Sequence, residues 1–330
     1  MKKVKIGFVG CGSFANMVHY PSLAEMEDVE ISGICDINKE RLEKTANKYK
    51  VEKIYTNYKQ MFEELNLDGV YIIMPPHHLY DIVIDALKSN LNVFIEKPPG
   101  ITLFQTENFA NLAVKNGCKT MVGFNRRFIP LLRKTKEIVE KNGPIIQAVS
   151  TFYKNMYPNF LYFNGATDIL TCDGIHSVDV LRWLCGEVKN VKSIVKSYFS
   201  EVANAFNAMI EFENGATGIL LTNWTVGKRI HTFEIHSKSI SAFVDCDDKA
   251  LIFRDNKEEP EILLTTEVAK SNERHKFYGY YYEDRHFIDC LKENKEPECN
   301  FSDAVKTMEL VEKIYKNNIS SKMEEKNEGI

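Results

Sequence analysis

The chain has no apolar run long enough to cross a bilayer, no Cys-x-x-Cys pair and no internal repeat. A spanning helix needs about 20 apolar residues, so a membrane is not an expected partner. The eight scattered cysteines read as reduced thiols of a cytoplasmic protein, neither a disulfide framework nor a zinc site. Charge of one sign is not in excess: 42 basic and 46 acidic residues give a net charge of −4, which offers no broad electrostatic case for nucleic acid. Met1-Lys2-Lys3 imitates the basic start of a secretory signal, but the apolar stretch after it is short and broken by three glycines, so export is not expected. What the chain does have is 330 residues, 44% of them hydrophobic, enough for sizeable cores in two domains. The tail from Ser320, rich in Lys, Glu and Asn, is expected to fray.

The first informative stretch is Val4 to Ala15, an apolar strand ending in Gly10-x-Gly12-x-x-Ala15 before a helix. Gly10 permits a tight turn, Gly12 lets backbone approach a pyrophosphate, and Ala15 allows close helix–strand packing. The helix start favours phosphate charge. A second strand, Val29 to Cys35, ends at Asp36, somewhat over 20 positions beyond the first glycine. There a carboxylate binds the adenosine ribose hydroxyls and repels a 2′-phosphate, and Ile37 beside it offers no cation, so NAD is favoured over NADP. Alternatively, Asp36 caps the helix beginning near Lys39. Arg41 either reaches the adenine or is a solvated surface charge.

Further strands read at Gly69–Met74, Asn92–Ile95 and Lys119–Val122, separated by helices over Leu79–Asn90 and Phe104–Asn116. This alternation predicts a doubly wound parallel sheet, a Rossmann domain over 1–122. Ligands of such sheets bind outside the carboxyl ends of the strands. Gly10-Cys11-Gly12, Asp36, Met74-Pro75-Pro76, Glu96-Lys97-Pro98 and Gly123-Phe124-Asn125 all fall at such ends. After Gly143 the rhythm changes to strands at Ile145–Tyr153, Val191–Phe199, Ala205–Phe212, Thr217–Trp224, Thr232–His236, Ile240–Asp245 and Lys249–Phe253, with Glu213-Asn214-Gly215 as a hairpin signal. Closing helices read over Tyr282–Asn294 and Ser302–Asn317. The second domain, 123–330, is therefore expected to be α+β with a large, mostly antiparallel sheet.

These motifs, with Arg126-Arg127-Phe128 and His176-x-x-Asp179, make the chain similar to the glucose–fructose oxidoreductase / inositol dehydrogenase / MocA family of NAD(P)-dependent oxidoreductases. The resemblance covers nearly the whole chain. It implies cofactor contacts from Gly10, Gly12, Ser13, Phe14, Ala15, Asp36, Arg41, Met74, Pro75, Glu96, Lys97 and Asn125. It also implies a C-terminal sheet that packs against a partner subunit, giving a homodimer or homotetramer. One departure is Met74-Pro75-Pro76-His77-His78-Leu79, where the family often has Thr-Pro-Asn-x-x-His; no role is assigned to His77 or His78.

Lys97, at a strand end beside a nicotinamide, would bond the reacting oxygen and stabilise a developing alkoxide; the plain alternative is a surface lysine. Thr171 to Leu184 reads as an amphipathic helix with an apolar stripe of Val178, Leu181 and Cys185. Asp173, His176 and Asp179 are three apart, so a His with a carboxylate neighbour is a candidate general base. Its plain alternative is an Asp173 cap, a packed His and an Asp179–Arg182 surface pair. Many relatives carry Asp four positions before the His, where this chain has Cys172, and Asp173 is the candidate replacement. A metal site from Asp173, His176, His77 and His78 matches no familiar spacing, so none is expected. Tyr153, Asn155 and a dense cluster around Tyr280 suit a polyol; the resemblance implies Arg127 and a tyrosine near Tyr280 as substrate contacts. The expected activity is NAD-dependent hydride transfer from a secondary alcohol of a sugar, glycoside, sugar derivative or cyclitol. NAD-assisted glycoside cleavage through transient C3 oxidation and a non-catalytic NAD- or sugar-binding sensor are the alternatives.

Overall fold

The computed structural model describes residues 3–319; the tail from Ser320 lies outside them. By contacts the chain divides into two compact units, one holding residues up to Asn125 with Glu273–Lys306, the other Arg126–Asn272 with the residues from Thr307 on.

The first unit is built on β1 (Val4–Val9), β2 (Val29–Cys35), β3 (Ile54–Tyr55), β4 (Gly69–Ile72), β5 (Asn92–Glu96) and β6 (Thr120–Gly123). They lie in the order β3-β2-β1-β4-β5-β6, all parallel. Buried on both faces, these strands read as near-continuous apolar runs; Ile6, Phe8, Ile34, Val70, Ile72 and Phe94 are fully buried. Strand order reverses between β1 and β4, the switch point at which such sheets bind ligands. Two details differ from expectation. The two-residue β3 is too short to carry a pattern. The element after Gly12 is broken at Val18 into Ser13–Met17 and His19–Ala24, so the dipole at its start belongs to a five-residue helix.

The expected boundary at 122/123 assigned both closing helices to the second domain. Instead, Glu273–Lys306 returns to the first unit. The helix Tyr280–Glu293 packs on His19–Ala24, with Phe287 edge-on to Tyr71 and Phe94 at 5.7 Å between ring centroids. That aromatic face explains the return.

The second unit holds β7 (Gln147–Asn155), β8 (Val188–Lys196), β9 (Ala205–Phe212), β10 (Thr217–Asn223), β11 (Thr225–Ser237), β12 (Ile240–Asp245), β13 (Lys249–Arg254) and β14 (Glu261–Leu264). The order is β14-β13-β12-β11-β7-β10-β9-β8, antiparallel except for β7–β10. The helix Ile175–Cys185 packs on β7 and β10. Its entry is not the expected α-helix: Leu170–Gly174 forms a π-helical turn, and every residue from Leu170 to Cys185 except Trp183 is buried. The helix is therefore buried all round and carries buried polar groups as well as apolar ones, so it is not a surface amphipathic helix. Trp183 is covered in turn by Arg133 and Lys136 from the helix Pro130–Asn142.

Candidate active site

In the first unit, Gly10 has a φ of 112°, and a Cβ there would stand 2.2 Å from the Ile73 carbonyl oxygen. Only glycine fits that turn. The side chain of Met74 borders it. A Cβ on Gly12 would meet no described atom within 4 Å, so its backbone is open to a close-approaching group. Ala15 is fully buried, as close helix–strand packing requires. Asp36 ends the next strand; its Oδ2 accepts the Cys11 amide at 2.8 Å, tying carboxylate and glycine turn together. Its Oδ1 accepts the Asn38 amide at 2.8 Å and Arg41 Nη2 at 3.1 Å. The helix Lys39–Tyr49 is capped by Asn38, not Asp36, which removes the capping alternative. Arg41 is not an isolated surface charge but the ion-pair partner of Asp36. A glycine cradle with a carboxylate beyond the next strand fits a dinucleotide with free ribose hydroxyls.

Glu96 closes β5, buried, and its Oε2 accepts the Lys97 amide at 3.2 Å. A Cβ on Gly123, paired with Glu96 across β5–β6, would lie 2.6 Å from Glu96 Oε1. Lys97 itself is part-buried. Asn125 Nδ2 donates to the Tyr278 carbonyl at 2.8 Å. Tyr280 is buried edge-on to Phe14 and His19, at 5.7 and 6.2 Å between centroids. Ser13 opens the short helix, Pro75 is exposed, and His77 and His78 are exposed on a 3-10 turn.

In the second unit three donors converge on Asp173 Oδ2: the Lys154 ammonium, the Tyr162 hydroxyl at 2.7 Å and the Trp224 indole at 3.3 Å. Burial and the neighbouring Asp173 push the Tyr162 phenol well above its ordinary pKa, so it stays a donor. Asp173 lies in the π-turn and His176 in the α-helix that follows it. His176 is buried in the first turn of Ile175–Cys185, and Cys172 is buried in the π-turn. Asp179 and Arg182 are both buried, so they do not form the expected surface pair. Arg127 grips Asp179 with two bonds, Nε at 2.8 Å and Nη2 at 2.5 Å, and Thr307 donates to it at 3.0 Å. Both partners of that ion pair are buried.

Strand alternation decides another point. Neighbours on a strand face opposite sides. Lys154 and Phe152 face Asp173, Trp224 and His231. Tyr153 and Asn155 therefore face the other side, where Tyr153 lines a hollow of about 420 Å³ with Asn207, Asn223 and Lys228. Sequence reasoning chose the aromatic and amide and passed over Lys154 between them; a lysine inside an alternating strand, off its polar side, was the signal. His231 was missed as well. It stacks on Phe152 at 4.0 Å and meets Ser177 Oγ at 3.2 Å, and burial followed by Arg126 and Arg229 holds its pKa well below the ordinary histidine value.

The fold and the cradle define a dinucleotide-binding α/β unit joined to an antiparallel-sheet unit. Residues 4–124 match the oxidoreductase family with an NAD-binding Rossmann fold, and residues 133–241 match the GFO/IDH/MocA C-terminal domain. The chain belongs to this family: it is an NAD-dependent dehydrogenase, an enzyme class that acts on CH–OH groups. Myo-inositol 2-dehydrogenase of Thermotoga maritima is 26% identical over 303 residues, 88% of this chain and 86% of that protein. A dehydrogenase structure from Chromobacterium violaceum superposes with a TM-score of 0.90 at 21% identity, covering 100% of this chain and 99% of that one. A levoglucosan dehydrogenase in complex with NADH and levoglucosan gives 0.85 at 19% identity, covering 97% and 98%. No helix among the described residues is long and apolar enough to cross a membrane.

Proposed function

We propose that the protein oxidises a secondary alcohol of a sugar, glycoside, sugar derivative or cyclitol, with NAD as hydride acceptor. The observation that carries this is Lys97 at the end of β5, its amide bonded by the buried Glu96 carboxylate in the unit that holds the glycine cradle and Asp36. Likeness to a myo-inositol dehydrogenase and a levoglucosan dehydrogenase supports the polyol class. Gly10, Gly12, Ser13, Phe14, Ala15, Asp36, Arg41, Met74, Pro75, Glu96 and Asn125 form the cofactor side. Bound NAD supplies the hydride acceptor. Lys97 donates a hydrogen bond to the hydroxyl oxygen and stabilises the alkoxide character that develops on it. His176 takes the hydroxyl proton while the carbinol hydrogen leaves as hydride, so the substrate becomes a ketone. Asp173, with its charge held by Lys154, Tyr162 and Trp224, binds substrate hydroxyls and does not serve as the base. The protein acts as a homo-oligomer in the cytoplasm.

NADH formation by purified protein across a panel of cyclitols, sugars and glycosides tests this. At least one polyol is expected to reduce NAD. Release of aglycone without net NADH would replace the reading with glycoside cleavage, and tight NAD binding with no turnover would replace it with a sensor.

A further inference from the structure

A second buried polar cluster lies inside the first unit. His19, fully buried at the start of His19–Ala24, has Nδ1 at 2.9 Å from Asp284 Oδ1 and Nε2 at 3.0 Å from Glu96 Oε1. Both neighbours are carboxylates, so each ring nitrogen faces an acceptor. A neutral imidazole donates from one nitrogen only; the cation satisfies both. Burial alone would lower the His19 pKa, but Asp284 and then Glu96 outweigh it and hold it well above the ordinary histidine value. The groups facing the ring are Asp284 and Glu283 from Tyr280–Glu293, Glu96 from β5 and, among the aromatics, Phe14, Tyr71, Phe94 and Tyr280. Glu96 is the link outward. One of its oxygens meets His19, the other accepts the Lys97 amide, and the carboxylate lies against a glycine that leaves it room.

We propose that His19 and Asp284 are positioning residues for Lys97: the ring, clamped between Asp284 and Glu96, fixes the Glu96 carboxylate and through it the Lys97 backbone. This rests on the role given to Lys97 above. It also gives Glu273–Lys306 a function, because that returning segment delivers Asp284 to the far side of the ring. A side chain held by a locked neighbour loses less in reaching its reactive geometry.

The test uses the full chain with His19→Gln and, in case that variant does not fold, Asp284→Asn, which keeps shape and withdraws charge. Amide hydrogen exchange at Lys97 is read by NMR, alongside kcat, KM and the NAD dissociation constant. Loss of a charge-assisted bond is expected to speed Lys97 exchange about tenfold. Misplacement of the lysine should lower kcat about 10- to 100-fold while KM and NAD binding stay within about twofold. Folded variants with unchanged Lys97 exchange would overturn the proposal. So would a fall in kcat matched by equal losses of NAD affinity and thermal stability, or stoichiometric divalent metal that disappears with His19→Gln. If the unaltered protein turns over no polyol, the role of Lys97 falls, and the exchange measurement still decides whether the clamp exists.

Discussion

Glu96 and Asp173 are both buried carboxylates close in sequence to a residue proposed for the chemistry, yet they are held in opposite ways. Glu96 is bonded by a histidine that is itself backed by a second carboxylate, and it passes its hold to the next backbone amide. Asp173 is the end point of three side-chain donors and lies in a π-turn. The first arrangement suits fixing a backbone. The second holds a buried carboxylate against a lysine that stays part-exposed. The comparison teaches that an acid beside a motif residue is defined by its donors, not by its spacing.

The sharpest way to break this contrast is Arg127→Ala. The Arg127–Asp179 pair is buried on both sides, so removing one partner should cost about 3–5 kcal/mol, read by urea unfolding. If instead stability holds and only KM rises, Arg127 is the substrate contact that family likeness implies. Next in size, Lys97→Ala should lower kcat about 10²- to 10³-fold with fold and NAD binding intact; unchanged turnover would remove Lys97 from the chemistry. Lys154→Met should destabilise the second unit by about 2 kcal/mol by taking a charged donor from Asp173. No loss in chemical denaturation would show that Tyr162 and Trp224 suffice.

A pH dependence separates the two carboxylates further. The His19 pKa is raised on folding, so its stabilisation is full below the unfolded value of about 6.5 and is lost as pH rises through the elevated folded value. The stability difference between the unaltered protein and His19→Gln should therefore shrink from neutral to alkaline pH; a constant difference would mean a neutral His19. The smallest effect is expected at Asn155, on the opposite sheet face from Asp173, where Asn155→Ala should change kcat by less than about twofold.

The legible parts of the fold were local ones. Gly10-x-Gly12-x-x-Ala15, Asp36 and Glu96-Lys97 each sit at the end of an apolar strand, so residues adjacent in the chain carry the signal. The parallel sheet followed from strand–helix alternation, and the antiparallel one from successive strands with a hairpin signal at Glu213-Asn214-Gly215. His19 and Asp284 were invisible because 265 residues separate them, and no spacing marks such a pair. Lys154 was hidden by a one-residue choice of strand face. The π-turn that carries Asp173 was not legible, because it admits one more residue per turn than the α-helical count.

The most direct measurement is the fate of the carbinol hydrogen. The protein is incubated with NAD and a responding cyclitol or sugar deuterated at its carbinol carbons, and the NADH formed is analysed by mass spectrometry. The expected result is one deuterium per reduced cofactor, with Lys97→Ala binding NAD and forming almost none. NADH without deuterium, or no reduced cofactor from any polyol despite bound NAD, would contradict hydride transfer from a secondary alcohol.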